Sequence, residues 1–178
     1  MMKTVFSLFF TACFLLAGPN LFAQKKASTI NSSTISAPIT KEKAKALAFG
    51  QDLIKAYFDG NCQIVANSLA AQVIAMESGQ QFSISPQLRT DFCKENPIRN
   101  DIQVNYQMYL DSYKAEVMDK EEFASKYPQR QQMYNLQAGD IFFNGANLLP
   151  KKQELFSASD MAMFILRPTS NGFEIIAI

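Results

Sequence analysis

The chain ends in "RPTSNGFEIIAI", and this ending constrains the fold more than any other stretch of the sequence. Asn171-Gly172 is a strong hairpin signal, because both central positions of a tight two-residue turn favour positive φ. Segments rich in β-formers flank it, "MAMFIL" before and "GFEIIAI" after. "MAMFIL" is apolar at both its odd and its even positions, which is typical of an interior strand covered on both faces. The sequence therefore predicts that the last strand lies in the interior of a sheet.

Residues 1–23 have the composition of a signal peptide. Lys3 supplies a positive charge, an apolar run follows, and Ala23 provides the small residue before an expected cleavage point at Gln24. The alternative is a retained transmembrane anchor, but the apolar run is shorter than the ~20 residues that cross a bilayer. We therefore expect an exported protein, periplasmic or extracellular, with no stable membrane anchor after cleavage.

The rest of the chain divides into a leader and a domain. Residues 24–39 are small and hydroxylated and show no hydrophobic periodicity, which is typical of a flexible leader. Residues 40–178 are long enough for a single domain, and 48% of the whole chain is hydrophobic, which is enough for a core. We expect one α+β domain over residues 40–178.

The first half of that domain favours helices. Residues 41–59 predict one long amphipathic helix, with charged side chains on one arc and apolar ones such as Leu53 opposite. Thr40 is placed to cap its N-terminus and Gly60 to end it. The segment "CQIVANSLA" predicts a second, shorter helix, and Ser85-Pro86 begins a third. Between these two, "AQVIAMESGQQFSI" predicts a strand, a turn and a returning strand.

The second half favours strands. Residues 101–110 alternate between polar and apolar, which predicts a strand, and the phase changes at Asp111-Ser112, which indicates a bulge or a turn. The alternative is a helix whose apolar stripe runs through Ile102, Tyr106, Tyr109 and Tyr113. Asp119 is placed to cap a short helix, and the strands that follow are expected to be separated by turns, one of them at Asn144-Gly145.

Two stretches resemble a known superfamily. The run "LIKAYFDGNCQIVANSLAAQVIAM" resembles the opening of the nuclear transport factor two-like (cystatin-like cone) superfamily, and "ILRPTSNGFEIIAI" resembles its final hairpin. The resemblance implies N-terminal helices packed against a strongly bent, mostly antiparallel sheet, cone-like and often with an apolar cavity between them. It implies little about activity, because the same architecture carries isomerases, dehydratases and binding modules.

The sequence lacks the residues on which much enzyme chemistry depends. It has no histidine, which excludes catalysis by imidazole and removes the commonest metal ligand. It has no phosphate-binding loop, dinucleotide motif, nucleophile elbow or Cys-x-x-Cys pair. Loss of Lys3 with the signal peptide leaves the 16 acidic residues balanced by 16 basic ones, so a nucleic-acid partner is not expected. We predict no cofactor and no metal.

These observations favour an exported, non-catalytic module that binds a small apolar ligand or a protein partner. An exposed sheet face would also make a homodimer a candidate assembly. Methionine fills irregular apolar space, and aromatic residues carry large apolar surfaces, so both suit the lining of a cavity. The candidate cavity-lining residues are Leu53, Tyr57, Tyr106, Met108 and Met163.

The alternative is an isomerase or dehydratase. Such an enzyme would use a buried carboxylate as the base and a tyrosine as the donor to an oxyanion, inside an apolar cavity. Glu77, Asp101 and Asp111 are the candidate carboxylates, although each also fits an ordinary solvated position.

Two cysteines remain once Cys13 leaves with the signal peptide. Cys62 and Cys93 each lie on a predicted helix, and disulfides persist in exported proteins. A disulfide between them is one candidate, and two buried free thiols are the other.

Overall fold

Helices precede a mixed sheet in the computed structural model. It describes residues 40–95, 105–153 and 163–178, except for the side chains of 92–95, and these residues belong to the unit Ile39–Ile178. The helices are α1 (Lys41–Phe58), α2 (Cys62–Ser68), α3 (Pro86–Glu95), α4 (Tyr106–Ser112), α5 (Lys120–Lys126) and α6 (Pro128–Tyr134). The strands are β1 (Leu69–Ile74), β2 (Gln81–Ser83), β3 (Tyr113–Asp119), β4 (Ile141–Leu148), β5 (Met163–Thr169) and β6 (Gly172–Ala177). The α+β class is therefore confirmed.

The six strands form one sheet in the order β2-β1-β6-β5-β4-β3. Neighbouring strands are antiparallel, except that β1 and β6 run parallel. Both β6 and β5 are therefore interior strands, as the C-terminal pattern predicts. The ladder continues to the end of the chain, because Ile178 donates its N–H to Ile74 and accepts a hydrogen bond from Met76 N at 2.8 Å.

The final hairpin forms, but its turn is one residue earlier than predicted. Thr169 pairs with Gly172, so the two central residues of the turn are Ser170 and Asn171. The positive φ in this turn, 134°, is at Gly172, and Asn171 is not among the described residues with positive φ. Glycine has no Cβ and so tolerates this backbone at the start of β6.

The sequence predicts α1 well because its signals are local. Thr40 Oγ1 accepts a hydrogen bond from Lys43 N at 3.3 Å, and Gly60 leaves the helix with a φ of 82°. Leu53 and Ile54 are buried on the apolar side. The same side contacts the sheet, since the ring of Phe49 lies 5.7 Å from that of Phe173 in β6.

The strand predicted for residues 101–110 is wrong from residue 105 onwards, where the helical alternative is confirmed. Asn105 caps α4, since its Oδ1 accepts a hydrogen bond from Met108 N at 3.0 Å. Tyr109 is buried and donates its hydroxyl to Gly145 O at 3.1 Å. The cap and this burial outweigh the polar alternation that favoured a strand. The change of phase at Asp111-Ser112 is the junction between α4 and β3, while residues 101–104 lie outside the described residues.

Asn144-Gly145 does not separate two strands as predicted, because both residues lie within β4. The pairing of β3 with β4 shifts at this point: Lys114 opposes Asn147, whereas Glu116 opposes Asn144. The extra residue in β4 makes a β-bulge, a position where an Asn-Gly dipeptide is also well suited. The dipeptide therefore bends a strand here instead of ending one.

Helices α5 and α6 lie at the sheet face that α1 leaves open. The ring of Phe123 in α5 lies 4.8 Å from that of Phe142 in β4. Phe143, the next residue, meets α1 at Gly50 on the opposite face. Asp119 caps α5 as predicted, in a capping box with Glu122. This arrangement covers β4 on both faces, whereas Ala71 and Gln72 in β1 are exposed and Glu174 in β6 is half-buried.

No helix in residues 40–95, 105–153 or 163–178 has the length and apolar character needed to cross a membrane.

Candidate functional site

A groove of about 420 Å³ lies on the sheet face opposite α1. Its side of the sheet follows from alternation along β6: Phe173 contacts α1, so its neighbour Glu174 points to the other face. We call this feature the sheet groove. The residues that line it are Ala70, Ala71, Gln72, Ile74, Gln81, Tyr134, Asn135, Gln137, Arg167, Glu174 and Ile176.

Strands β1, β2, β5 and β6 supply the floor of the sheet groove, and the segment that follows α6 supplies its wall. Asn135 ends α6 in the left-handed conformation, with a φ of 44°, and so turns the chain towards β4. Tyr134 fixes this wall, because its hydroxyl donates to Met76 O at 2.6 Å. On the floor, Gln81 Nε2 donates to Gln72 Oε1 at 2.6 Å across β1 and β2.

An ion pair joins the floor to the wall. Arg167 Nε donates to Asp140 Oδ1 at 2.9 Å, and Arg167 Nη2 donates to Asp140 Oδ2 at 2.8 Å. Gln137 N donates to the same Oδ2 at 2.8 Å. The side chain of Asp140 is 1% exposed and that of Arg167 is 30% exposed. The hydrogen bond to Asp140 raises the pKa of Arg167, so the buried carboxylate is held by a permanently charged partner.

Glu174 lies beside this pair and does not join it. It is directly opposite Arg167 in the antiparallel pairing of β5 and β6, and it is half-buried. Within the described part of the chain, Glu174 makes no hydrogen bond and no ion pair, and its charge acts on Arg167 only at longer range. Arg167 and Glu174 are the charged residues among those that line the groove.

The five predicted cavity residues do not line the sheet groove. Leu53 belongs to the core, and Met163 packs against that core while half-buried. Tyr57 and Met108 are each 38% exposed. Tyr57 and Tyr106 meet around Phe58, with ring centroids 5.9 Å and 6.1 Å from the Phe58 ring. The structure thus brings together two of the five residues, and the apolar cavity stays a prediction.

The three candidate carboxylates also lie away from the groove. Glu77 and Asp111 are exposed, and Asp101 lies outside the described residues. Asp111 Oδ1 accepts a hydrogen bond from Gln107 Nε2 at 3.0 Å, within α4. The most buried tyrosine of this region, Tyr109, has its pKa raised by burial to about 12, and its hydroxyl donates to a backbone carbonyl.

Cys62 is disulfide-bonded. It begins α2, and α2 contacts α3, the helix that carries Cys93. The side chain of Cys93 lies outside the described residues, so the pairing of Cys62 with Cys93 stays a prediction.

Among the described residues, no group of three or more histidine, cysteine, aspartate or glutamate side chains is placed to hold a metal ion.

Sequence reasoning missed the charged residues of the sheet groove. The predicted turn at Asn171-Gly172 would have placed Arg167 opposite Ile176, and only the observed turn, one residue earlier, places it opposite Glu174. No local signal existed for Asp140, whose partner is 27 residues away.

Comparison with known proteins adds no functional assignment: no family model, no curated protein and no solved structure matches the chain. Any assignment of function therefore depends on the residues of the sheet groove.

Proposed function

We propose that the protein is an exported, non-catalytic binding module and that the sheet groove is its binding site. The observation that supports this most directly is a concave site whose lining combines side-chain amides, one arginine and one glutamate with apolar residues. Its volume of about 420 Å³ is within the ~300–1,000 Å³ of small-molecule sites. Because amide and charged side chains line the groove together with apolar ones, we propose a small ligand that has polar groups as well as an apolar part, instead of the apolar ligand that the sequence favoured.

The chemistry of the groove supports binding better than catalysis. An isomerase-like site needs a carboxylate base in a dry, enclosed cavity. Asp140 is the buried carboxylate next to the groove, but its two oxygens are occupied by Arg167 and by Gln137 N. Ala71 and Gln72 are exposed where they line the groove, so water reaches the site. The chain also has no histidine to act as a base near neutral pH.

A groove-filling variant tests this proposal. Ala71→Trp places a large side chain in the sheet groove, whereas Ala48→Trp adds the same side chain at an exposed position on α1, away from the groove. We expect native mass spectrometry of the protein purified from its own envelope to detect a bound ligand in the wild type and in Ala48→Trp, but not in Ala71→Trp. The same spectra report whether the protein is a homodimer, which we propose as a candidate assembly.

Two outcomes would contradict the binding module. If Ala71→Trp retained the ligand, the ligand would not bind in the sheet groove. Turnover of the bound compound would replace the module by an enzyme. With no histidine in the chain, we also expect ligand affinity to stay nearly constant from about pH 5 to pH 8.

Export is part of the proposal. The charged start, apolar run and small residue of segment 1–23 support cleavage before Gln24 and release into the periplasm or the extracellular space. N-terminal sequencing of the exported protein should begin at Gln24. An intact Met1 on the exported protein would exclude this maturation.

We also propose the finer fold, a cone-like member of the nuclear transport factor two-like superfamily with a strongly bent sheet. Two features support it: the strand order β2-β1-β6-β5-β4-β3 with parallel β1 and β6, and the contact between α1 and the sheet at Phe49 and Phe173. A crystal structure of the mature protein tests it, and a flat sheet would contradict it.

A further inference from the structure

The final hairpin carries a glutamate that the fold does not use. Opposite charges directly across an antiparallel pair usually attract each other, and Arg167 lies directly across from Glu174. Arg167 instead directs Nε and Nη2 to the two oxygens of Asp140. Asp140 is buried and would be costly to leave without a partner, so it takes precedence over the half-buried Glu174.

This choice leaves an unbalanced negative charge in the sheet groove. The charge of Arg167 is balanced by Asp140, and Glu174 remains without a hydrogen bond or an ion pair among the described residues. Because Glu174 is half-buried in a concave site, water screens its charge less than it would on an open surface. The site therefore attracts a cation more strongly than a neutral molecule or an anion.

The neighbours of Glu174 indicate which kind of cation fits. Ile74, which is half-buried, offers an apolar surface to an alkyl chain, and the buried Ile176 adds a small part of that surface. Gln72, Gln81 and Gln137 carry amide groups that both donate and accept hydrogen bonds. A bare metal ion would leave the apolar surface unused, and among the described residues no group of three or more histidine, cysteine or acidic side chains is placed to hold one.

We propose that the sheet groove binds a small organic cation, with a primary ammonium group on an alkyl chain and amide or hydroxyl groups beside it. Glu174 accepts hydrogen bonds from the ammonium group, the two isoleucines contact the alkyl chain, and the glutamine amides bind the polar groups. The inference rests on the proposed function, because it assigns a ligand class to the same groove.

Two matched probes test the preference for charge. N-acetyl-lysine amide carries a primary ammonium group, an alkyl chain and two amides, and its Nε-acetylated form differs mainly by lacking the charge. Each is titrated into the mature protein while the side-chain amide signals of Gln72, Gln81 and Gln137 are followed by NMR. We expect the charged probe to bind about tenfold more tightly, which corresponds to ~1.4 kcal/mol.

Two variants locate the charge that is recognised. Glu174→Gln keeps the size and shape of the side chain, and we expect it to remove the preference for the charged probe. Glu121→Gln removes a carboxylate from an exposed position on α5, outside the groove, and should retain the full preference. The wild-type comparison of the two probes decides the proposal even if Glu174→Gln fails to fold.

The outcomes separate this inference from the proposed function. Equal affinity for both probes, no binding of either, or an unchanged preference in Glu174→Gln would overturn the organic cation. The binding module itself would survive any of these results, provided that Ala71→Trp still loses the native ligand while Ala48→Trp keeps it. If Ala71→Trp and Ala48→Trp retained the native ligand equally, both the binding module at the groove and the organic cation would be overturned.

Discussion

Helix propensity and tertiary packing predict opposite changes in stability for Gly50→Ala, a substitution in the middle of α1. Alanine is favoured over glycine in a helix interior by ~1 kcal/mol, so helix propensity alone predicts that Gly50→Ala stabilises the protein. In the structure Gly50 is buried against the ring of Phe143. A Cβ added at Gly50 would lie 2.8 Å from Phe143 Cγ and closer still to Cδ2 and Cε2.

Phe143 has little room to move away from that Cβ. Its side chain is 0% exposed, and its ring is stacked on that of Phe164 with centroids 4.7 Å apart and an interplanar angle of 4°. Overpacking of a filled core costs ~1–3 kcal/mol, and this contact is with the rigid part of the ring, so we place it at the upper end. After the gain in helix propensity, Gly50→Ala should lower the free energy of unfolding by about 1–2 kcal/mol.

Urea denaturation followed by circular dichroism measures this change. A loss of that size lowers the thermal midpoint by roughly 3–6 °C in a domain of this length. Ala48→Gly, at an exposed position of the same helix, is the control and should cost ~1 kcal/mol through helix propensity alone. In a Phe143→Ala background the three clashing ring atoms are absent, so adding Gly50→Ala to that background should be neutral or stabilising. A higher thermal midpoint for Gly50→Ala alone would refute the packing argument.

Three further predictions concern the end of the chain, the cap of α5 and the disulfide. Removing residues 172–178 exposes the edges of β1 and β5 and deletes buried side chains worth ~1.5–3 kcal/mol each, so the truncated protein should lack the native circular dichroism spectrum. Burial favours a higher pKa for Asp119, but hydrogen bonds from Lys43 and from the start of α5 outweigh it and lower the pKa. Its stabilising effect is therefore present above its unfolded pKa, so the stability difference between wild type and Asp119→Asn should shrink as the pH falls below about 4. Peptide mapping should find Cys62 joined to Cys93, and closure of that loop is worth about 3–4 kcal/mol. Reductant should therefore lower the thermal midpoint. Equal midpoints with and without reductant would count against a stabilising bridge.

The features that were predictable from sequence depend on contacts between residues close together in the chain. The cap of α1 at Thr40 joins residues three positions apart, and so does the capping box between Asp119 and Glu122. The last hairpin is equally local, because its strands are joined by two residues. For the two caps the partner is fixed by sequence separation, so the pattern alone specifies the contact. For the hairpin the pattern identifies the two strands, but the structure places the turn one residue earlier than the pattern predicts.

Residues 105–112 show where local reasoning becomes ambiguous. The segment "NYQMYLDSY" satisfies a polar alternation and also a helical stripe through Tyr106, Tyr109 and Tyr113. In the folded protein the three tyrosine rings stack with successive centroids 5.8 Å apart, and Tyr109 reaches Gly145 in β4. Contacts with a distant strand favour the helix, and a single sequence does not reveal those contacts.

The sequence by itself determined the α+β class, the principal caps and the interior position of the last strand. Only the tertiary structure decided where the candidate site lies, because the sheet groove combines strands β1, β2, β5 and β6 with the segment after α6. Tertiary structure also decided that Arg167 forms its ion pair with Asp140 and not with Glu174, which lies opposite it. Alternation along the strand fixes that Arg167 and Glu174 share a face, but burial of a carboxylate 27 residues away decides which of the two is neutralised.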